Sequence, residues 1–536
     1  MRSRNFCRAR PPRPSCEGTV VNHLFERDYA VFFQDDYKIL DRLTLNIGLR
    51  YEYQSLVREE NGQLSSFDPE ATNSTGTAGA LVIASESSIG GDAGLQAILN
   101  KYNVGPLDYG TSAANNAYPY ILTAAQAGLP QTLVHPNYLR FAPRIGWAWR
   151  PSLNNSTVIR GSWGIFFTGS RLSALRTELA GNFPFTITDA PAFAKATPIT
   201  TVFTSAAAAG AHATDVNGYQ PDAPSSYLES YNLTVERELP KGLAVELAYT
   251  GSKGFHLGWQ IDINQGEPSL GPLNGSSYPR PYAFFAGTDY FQFNAYSAYN
   301  AGTITVRKRF EHGLLFRANY TWAKNLDMNS ALNYAGDGGY QGTQDITNQK
   351  AEYGRADSDR RNVFNGNFVY ALPFNRNIVV KGWQMAGSWQ VESGTPITPQ
   401  YNGPSQSDGL ATRPNRICNG ALPTQLRTVG NWFNTLQTPG DPYACFQQPT
   451  GTAGNYFGTS RRNILDGPGL YTISWSLSRN FRITNSGKLQ FRWEIFNLLN
   501  HPNFMLPNDY LDEPGVGSIT KASQQRSIQL GAKYTF

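Results

Sequence analysis

Apolar and polar residues alternate with period two along the best-defined stretches of this chain. That is the mark of extended strands, whose side chains point to opposite faces in turn. Leu43, Leu45, Ile47, Leu49, Tyr51 and Tyr53 share one face, and Thr44, Asn46, Gly48, Arg50 and Glu52 share the other. At the far end Ile528, Leu530, Ala532, Tyr534 and Phe536 oppose Gln529, Gly531, Lys533 and Thr535. The same alternation predicts strands over 29–37, 138–150 and 157–168. It also predicts hairpins 228–238 with 243–251, 301–310 with 314–324, 361–372 with 378–392, and 469–482 with 488–499. The total is about thirteen strands, several longer than the usual 5–6 residues or so.

The connections add a rhythm. Short turns such as Asp41-Arg42 and Glu311-His312-Gly313 alternate with long segments from one end of the chain to the other. A transmembrane barrel has this rhythm, with short periplasmic turns and long extracellular loops. A sandwich turns every 8–12 residues or so without it. A propeller would carry a blade repeat of about 40–50 residues, and none is visible. The polar faces hold Arg50, Glu52, Glu236, Glu246, Arg317, Arg492 and Glu494. Periodicity alone does not say whether the apolar faces meet a core or lipid. Strand length, the Trp and Tyr near strand ends and the loop rhythm favour lipid. The expected fold is all-β, an antiparallel transmembrane barrel of about 13–14 strands in the cell outer membrane.

Composition fits. Aromatics are 13% of the 536 residues and charged residues only 16%, while Gly (51) and Pro (33) supply many turns. Mean hydropathy is −0.40, and no apolar run approaches the roughly 18 residues of a membrane helix. That excludes a helical membrane protein but not a barrel. The net charge of +5 is scattered, with no basic run that would track nucleic acid. A helix is expected near 93–101, and an alanine run occupies 206–209. Cys7 and Cys16 lie in a basic N-terminal tail with no apolar segment of a secretory signal. Cys418 and Cys445 share one loop, where a disulfide and two unpaired thiols are both open.

Strand direction raises a conflict. A short turn follows the first strand and a long loop precedes the last, so both run inward. Bacterial barrels have even strand counts, so an odd ladder implies a strand still unrecognised or a beginning that lies elsewhere.

Several stretches resemble the barrel of TonB-dependent outer-membrane receptors of the Oar-like type, which carry a carboxypeptidase-regulatory-like domain. They are YAVFFQDDYKILDRLTLNIGLRYEY at 29–53, FAPRIGWAW at 141–149, DSDRRNVF at 357–364, FVYALPF at 368–374, GWQMAGSWQVESGTPIT at 382–398 and FRWEIFNLLNHPNF at 491–504. Each is weak alone, but the set runs in order over nearly the whole chain. The resemblance implies a barrel of about 22 strands threaded by a plug, with substrate captured by outer loops and gating driven by an energising inner-membrane complex. It implies insertion machinery that reads the strand ending at Phe536. Neither a plug nor a signal peptide is recognisable here. The expectation is therefore that 28–536 is the C-terminal part of such a barrel and 1–27 an irregular tail or false start.

No catalytic, cofactor or metal residues emerge, and the chain is not expected to be an enzyme. Asp35 and Asp36 fall on opposite strand faces and read as a strand end and turn. Asp357, Asp359, Arg360 and Arg361 read either as a lumenal cluster touching plug or substrate, or as a solvated strand entrance. His23, His135, His212, His256, His312 and His501 have no ligand spacing. Aromatics at 282–293 and Tyr456-Phe457 suit either stacking on sugars or peptides or simple loop packing. The expected function is uptake of a substrate too large for porins, such as an oligosaccharide, peptide or metal chelate. The alternatives are a passive porin-like channel of about 14 strands and a surface adhesion or scaffold barrel. The ligand itself is not legible.

Overall fold

The structure is a computed structural model. It describes residues 4–8, 15–19, 23–72, 78–90, 121–151, 156–168, 179–189, 216–271, 278–282, 285, 287–330, 343–374, 381–401, 413–436, 444–449, 456–484, 487–523 and 525–536. The expected helix near 93–101 and the alanine run 206–209 lie outside these.

Thirteen strands form one antiparallel ladder: β1 (Asp28–Leu40), β2 (Leu43–Gln54), β3 (Phe141–Trp149), β4 (Thr157–Phe167), β5 (Tyr227–Leu239), β6 (Leu243–Asp262), β7 (Thr288–Glu311), β8 (Leu314–Asp327), β9 (Asn362–Ala371), β10 (Trp383–Glu392), β11 (Leu470–Arg482), β12 (Lys488–Phe496) and β13 (Ser527–Thr535). Each pairs with the next in residue-by-residue register from β1 to β13. Register keeps the two faces separate. Leu45 stands beside Trp147, Leu247 beside Ile304 and Trp493 beside Leu530. On the other face Glu236 stands beside Glu246, Thr303 beside Thr321 and Asn319 beside Asn365.

The apolar face is the exposed one. Ile47, Leu49, Ile145, Leu233, Leu247, Ile304, Tyr320 and Phe364 all present large hydrophobic side chains to the outside. A band of that extent is untenable in water and suits lipid. An arginine at Leu247 is therefore expected to destabilise the protein in bilayers by about 2–4 kcal/mol. The same change at Thr303, on the opposite face, should cost far less. Urea unfolding in lipid vesicles compares the two, and equal losses would contradict the face assignment.

The ladder does not close on itself among the described residues. β1 has a register only with β2, and β13 only with β12. Exposure agrees. Phe33 is 70% and Leu530 68% exposed, against 47% for Leu49, which has neighbours on both sides.

Several described segments between the strands gather at the long-loop end. The outer end of β7 pairs in parallel with Val216–Tyr219, which bridges to Ser65–Thr72; that strand pairs with Ala78–Ile83, which runs parallel to Ile121–Thr123. Apolar residues cover both faces of this sheet. Ala80, Val82, Leu122 and Tyr219 belong to one buried cluster, and Phe67, Leu81, Ile83, Ile121 and Val216 to another. These long connections thus fold into a cap with its own core. It also explains why β6 and β7 outrun the expected 243–251 and 301–310. Their outer ends bury Trp259, Ile261, Tyr290 and Phe291 on both faces, which erases the alternation.

One further expectation is corrected. Asp35 and Asp36 are not at a strand end but in the middle of β1. They do take opposite faces, Asp35 opposite Ile47 and Asp36 opposite Asn46, whose amide donates to Asp36 at 2.5 Å. Near the N-terminus Arg4–Arg8 pairs with Ser15–Thr19, which also pairs with Thr186–Asp189, and Leu24–Phe25 pairs with Arg58–Glu59.

Candidate functional site

The polar face of the ladder is a wall of paired charges and neutral hydrogen-bonding groups. Glu236 on β5 sits between Arg160 on β4, at 3.3 Å, and Arg307 on β7. Arg50 pairs with Glu52 at 2.5 Å and Arg492 with Glu494 at 3.5 Å. Between these lie Thr303 with Thr321 (3.0 Å) and a chain in which Thr305 donates to Asn319 and Asn319 to Asn365 (3.0 and 2.9 Å). Such a wall can line water and let polar solutes slide.

Polar residues at the outer rim lock the cap onto the strands. Asp359 is fully buried. It accepts from the Asn325 backbone (2.7 Å) and pairs with Arg355 (2.7 Å) and Arg361 (3.0 Å). Asp357 accepts from the Asn463 amide at 2.7 Å, and Arg360 pairs with Glu392 at 3.5 Å. The reading of 357–361 as a solvated entrance therefore fails, because loops from elsewhere in the chain cover it. Deeper still, Glu352 and Arg413, each about 1% exposed, form a two-pronged ion pair at 2.6 and 2.7 Å. Gln344 braces both, donating its backbone N–H to Glu352 and accepting from Arg413. Arg462 joins the Glu352 carbonyl (2.9 Å) to Asp327 at the end of β8.

Cys418 and Cys445 are joined by a disulfide. It staples a third core, where Phe433, Phe446, Leu465 and Leu511 are buried. The aromatic stretches are mostly packing. Tyr290 and Phe291 lie in β7 and are buried, and Tyr456 meets Tyr278 edge-on at 5.7 Å.

One carboxylate in this cap is tuned. Burial pushes the Asp509 carboxyl up to about 6, with Glu513 acting in the same direction against the hydrogen bonds it accepts from its own backbone and from Gln400. A raised acid pKa makes the folded loop bind its proton more tightly than the unfolded chain does. This contribution is fully present below about pH 4 and is lost as pH rises through 6, a swing of at most about 3 kcal/mol. The backbone N–H of Gln400, which donates to the Asp509 carbonyl at 3.0 Å, reports on it. Its exchange should be slower at pH 4 than expected from intrinsic rates and should lose that protection by pH 7. Asp509→Asn should remove the dependence.

A half-open cavity of about 110 Å³ lies where the cap meets the rim, between the outer ends of β2, β3, β4 and β5. Arg140, Gln54 and Thr168 line it on the strand side, with Leu179, Tyr219 and Phe293 on the cap side. Burial raises the Tyr219 phenol above its ordinary pKa, so it stays neutral. The alternation in the sequence located the wall but not this cavity, because its walls come from segments separated by tens of residues.

Residues 15–529 match the family model described as outer membrane beta barrel domain. No curated protein matches. Among solved structures the chain is similar to the outer membrane transporter YddB from Escherichia coli, at 9% identity over 96% of this chain and 54% of that one, with a TM-score of 0.44. It is also similar to the ferric citrate transporter FecA (9%; 98% and 46%; 0.41) and to the siderophore receptor PiuA from Acinetobacter baumannii (9%; 98% and 44%; 0.41). The chain spans about half the length of these structures. With a family match over almost its whole length and an apolar band facing outward from an antiparallel ladder, the protein belongs to the outer membrane beta barrel domain family and resides in the outer membrane.

Proposed function

We infer that the chain is the barrel portion of a TonB-dependent receptor of the Oar-like type. In this reading 28–536 forms part of the wall of a larger barrel, β13 is delivered by the barrel-insertion machinery, and the remaining strands and a plug complete the transporter. The energising inner-membrane complex acts through that plug. The cargo is a substrate too large for porins, such as an oligosaccharide, peptide or metal chelate, captured at the cap. The single observation that carries this is the open ladder. Among the described residues thirteen strands leave β1 and β13 running the same way with no partner on their outer edges, and an unpaired edge in lipid costs several kcal/mol per unsatisfied group. A passive porin-like channel of about 14 strands would need that edge closed. A substantial buried cap also suits ligand capture better than free diffusion.

Two measurements separate the readings. Sequencing the coding DNA upstream of Met1 should show an in-frame plug and export signal; a stop codon followed by an independent promoter would argue for a self-contained channel or adhesin. Liposome swelling with the 536-residue chain should show no size-graded flux of small sugars, whereas a porin would give it.

A further inference from the structure

Arg140 carries a charge that the fold does not match. The residue is buried, 6% exposed, just before β3. Its guanidinium donates to the Gln54 side-chain oxygen (2.6 Å) and to the Thr168 carbonyl (2.7 Å), and it lies 5.4 Å from the Phe167 ring. All three partners are neutral. Among the described residues no carboxylate lies within ion-pair distance of it. The acids that act on it through space are Glu52, Asp28 and Glu26, and Glu52 is already bound to Arg50. Buried charges in folded proteins are ordinarily paired, because an unpaired one has lost its hydration without compensation. The guanidinium has five N–H donors, two of which are used.

Position gives that spare capacity a use. The Arg140 carbonyl accepts from Glu52 N–H at 3.0 Å, so Arg140 continues the polar face at the mouth of the lumen. It also lines the rim cavity, with Leu179, Phe293 and the neutral phenol of Tyr219 across from it. The lining is mixed, with Ser55, His135 and Ser226 beside Arg140 and Leu56, Val57 and Leu179 among the apolar residues, and a recess with convergent polar groups and an apolar wall can orient a small ligand. The volume, about 110 Å³, compares with about 150 Å³ for a cavity that holds benzene. It admits an end group of amino-acid size and not a whole oligomer.

We propose that this cavity is a subsite for a ligand carboxylate, held by the free N–H groups of Arg140 with the adjoining aliphatic part against Leu179 and Phe293. The carboxylate belongs either to a peptide C-terminus or to an acidic sugar. Guanidinium binds carboxylate through paired charge-assisted hydrogen bonds, and these would supply the missing counter-charge. The assignment rests on the receptor reading only in that the group is part of a captured ligand.

Isothermal titration of the 536-residue chain in detergent tests it. One arm compares N-acetyl-alanyl-alanine with its C-terminal amide, and the other compares galacturonic acid with galactose. In one arm the acid should bind at least tenfold tighter than its neutral partner, which also identifies the source. Arg140→Gln should abolish that preference, with an unchanged far-ultraviolet circular dichroism spectrum and unchanged amide protection of β2 and β12 showing an intact ladder. Arg140→Lys, which keeps the charge and loses the fork, should retain a weakened preference; an unweakened one would overturn the assignment. Equal binding of acid and neutral probe in both arms, no binding of either, or an acid preference that survives in folded Arg140→Gln would also overturn it. Binding with this preference but without uptake in cells would leave the subsite standing and count against the receptor reading.

Discussion

Replacing Arg413 with alanine is expected to open the extracellular cap while leaving the strand ladder intact. Among the described residues, the substitution strands the Glu352 carboxylate, about 1% exposed, with only the Gln344 N–H as a close donor. Breaking a buried ion pair from one side costs about 3–5 kcal/mol, because the remaining charge has lost its partner and cannot reach water. Removing both charges is milder, since no uncompensated charge remains. Glu352→Leu with Arg413→Leu should therefore cost less than Arg413→Ala alone, a non-additivity expected of groups in contact. The Gln344 side-chain amide, which donates to the Gly458 carbonyl at 2.8 Å, ties this pair to the next loop, so opening should spread to 456–463. Pulse proteolysis of the folded protein measures the loss. A single-site cost below about 1 kcal/mol, or a double variant worse than either single one, would contradict the role given to the pair.

Removing the Cys418–Cys445 bridge comes next in size. The two cysteines are 27 residues apart, and closing a loop of that length corresponds to about 3–4 kcal/mol of chain entropy in the opened state. The bridge holds a segment with little regular structure of its own, chiefly the two-residue pairing of Asn415–Arg416 with Phe446–Gln447. The core beneath it is small, so few other contacts would compensate. Alanine at both positions should raise amide exchange at Ile417, whose N–H donates to the Cys445 carbonyl at 2.9 Å. The tenfold rate change that each 1.4 kcal/mol or so permits should make the effect plain. Unchanged protection there would mean that packing of Phe433 and Phe446 suffices without the bond. Arg413 lies close in sequence, so the two lesions should not simply add.

What could be read in the sequence follows from which structures are local. The apolar face is chemically uniform along a strand, so Leu43 to Tyr53 or Ile528 to Phe536 mark it by alternation, strand length and loop rhythm assign it to lipid, and the ladder lies where that pattern stands. The cap is another matter. Its strand Ala78–Ile83 reads AGALVI, a short continuous apolar run, as expected of a strand buried on both faces. Amid a region rich in Gly, Ser and Thr, so short an apolar run does not stand out as a strand. Glu352 and Arg413 are 61 residues apart, and Asp327 and Arg462 are 135 apart, distances at which no spacing rule operates. Asp359 shows the same limit from the other side. Its partners Arg355 and Arg361 are sequence neighbours, but the cluster is covered only because Asn463 and Asp466 reach Asp357 and Arg355 from a distant loop. Arg140 is a lone arginine before a strand, and its missing counter-charge is visible only once the cap is in place.

The open ladder between β1 and β13 is the claim on which the functional reading depends, and amide exchange on the 536-residue chain as a detergent-solubilised monomer addresses it most directly. Alternate N–H groups of Asp28–Leu40 and Ser527–Thr535 point toward the free edge and should exchange at nearly solvent rates, while those of Leu43–Gln54 and Lys488–Phe496, bonded on both sides, stay protected. Uniform protection across all four strands in the monomer would show a ring closed on itself, and the chain would then be a complete barrel rather than part of a larger receptor wall.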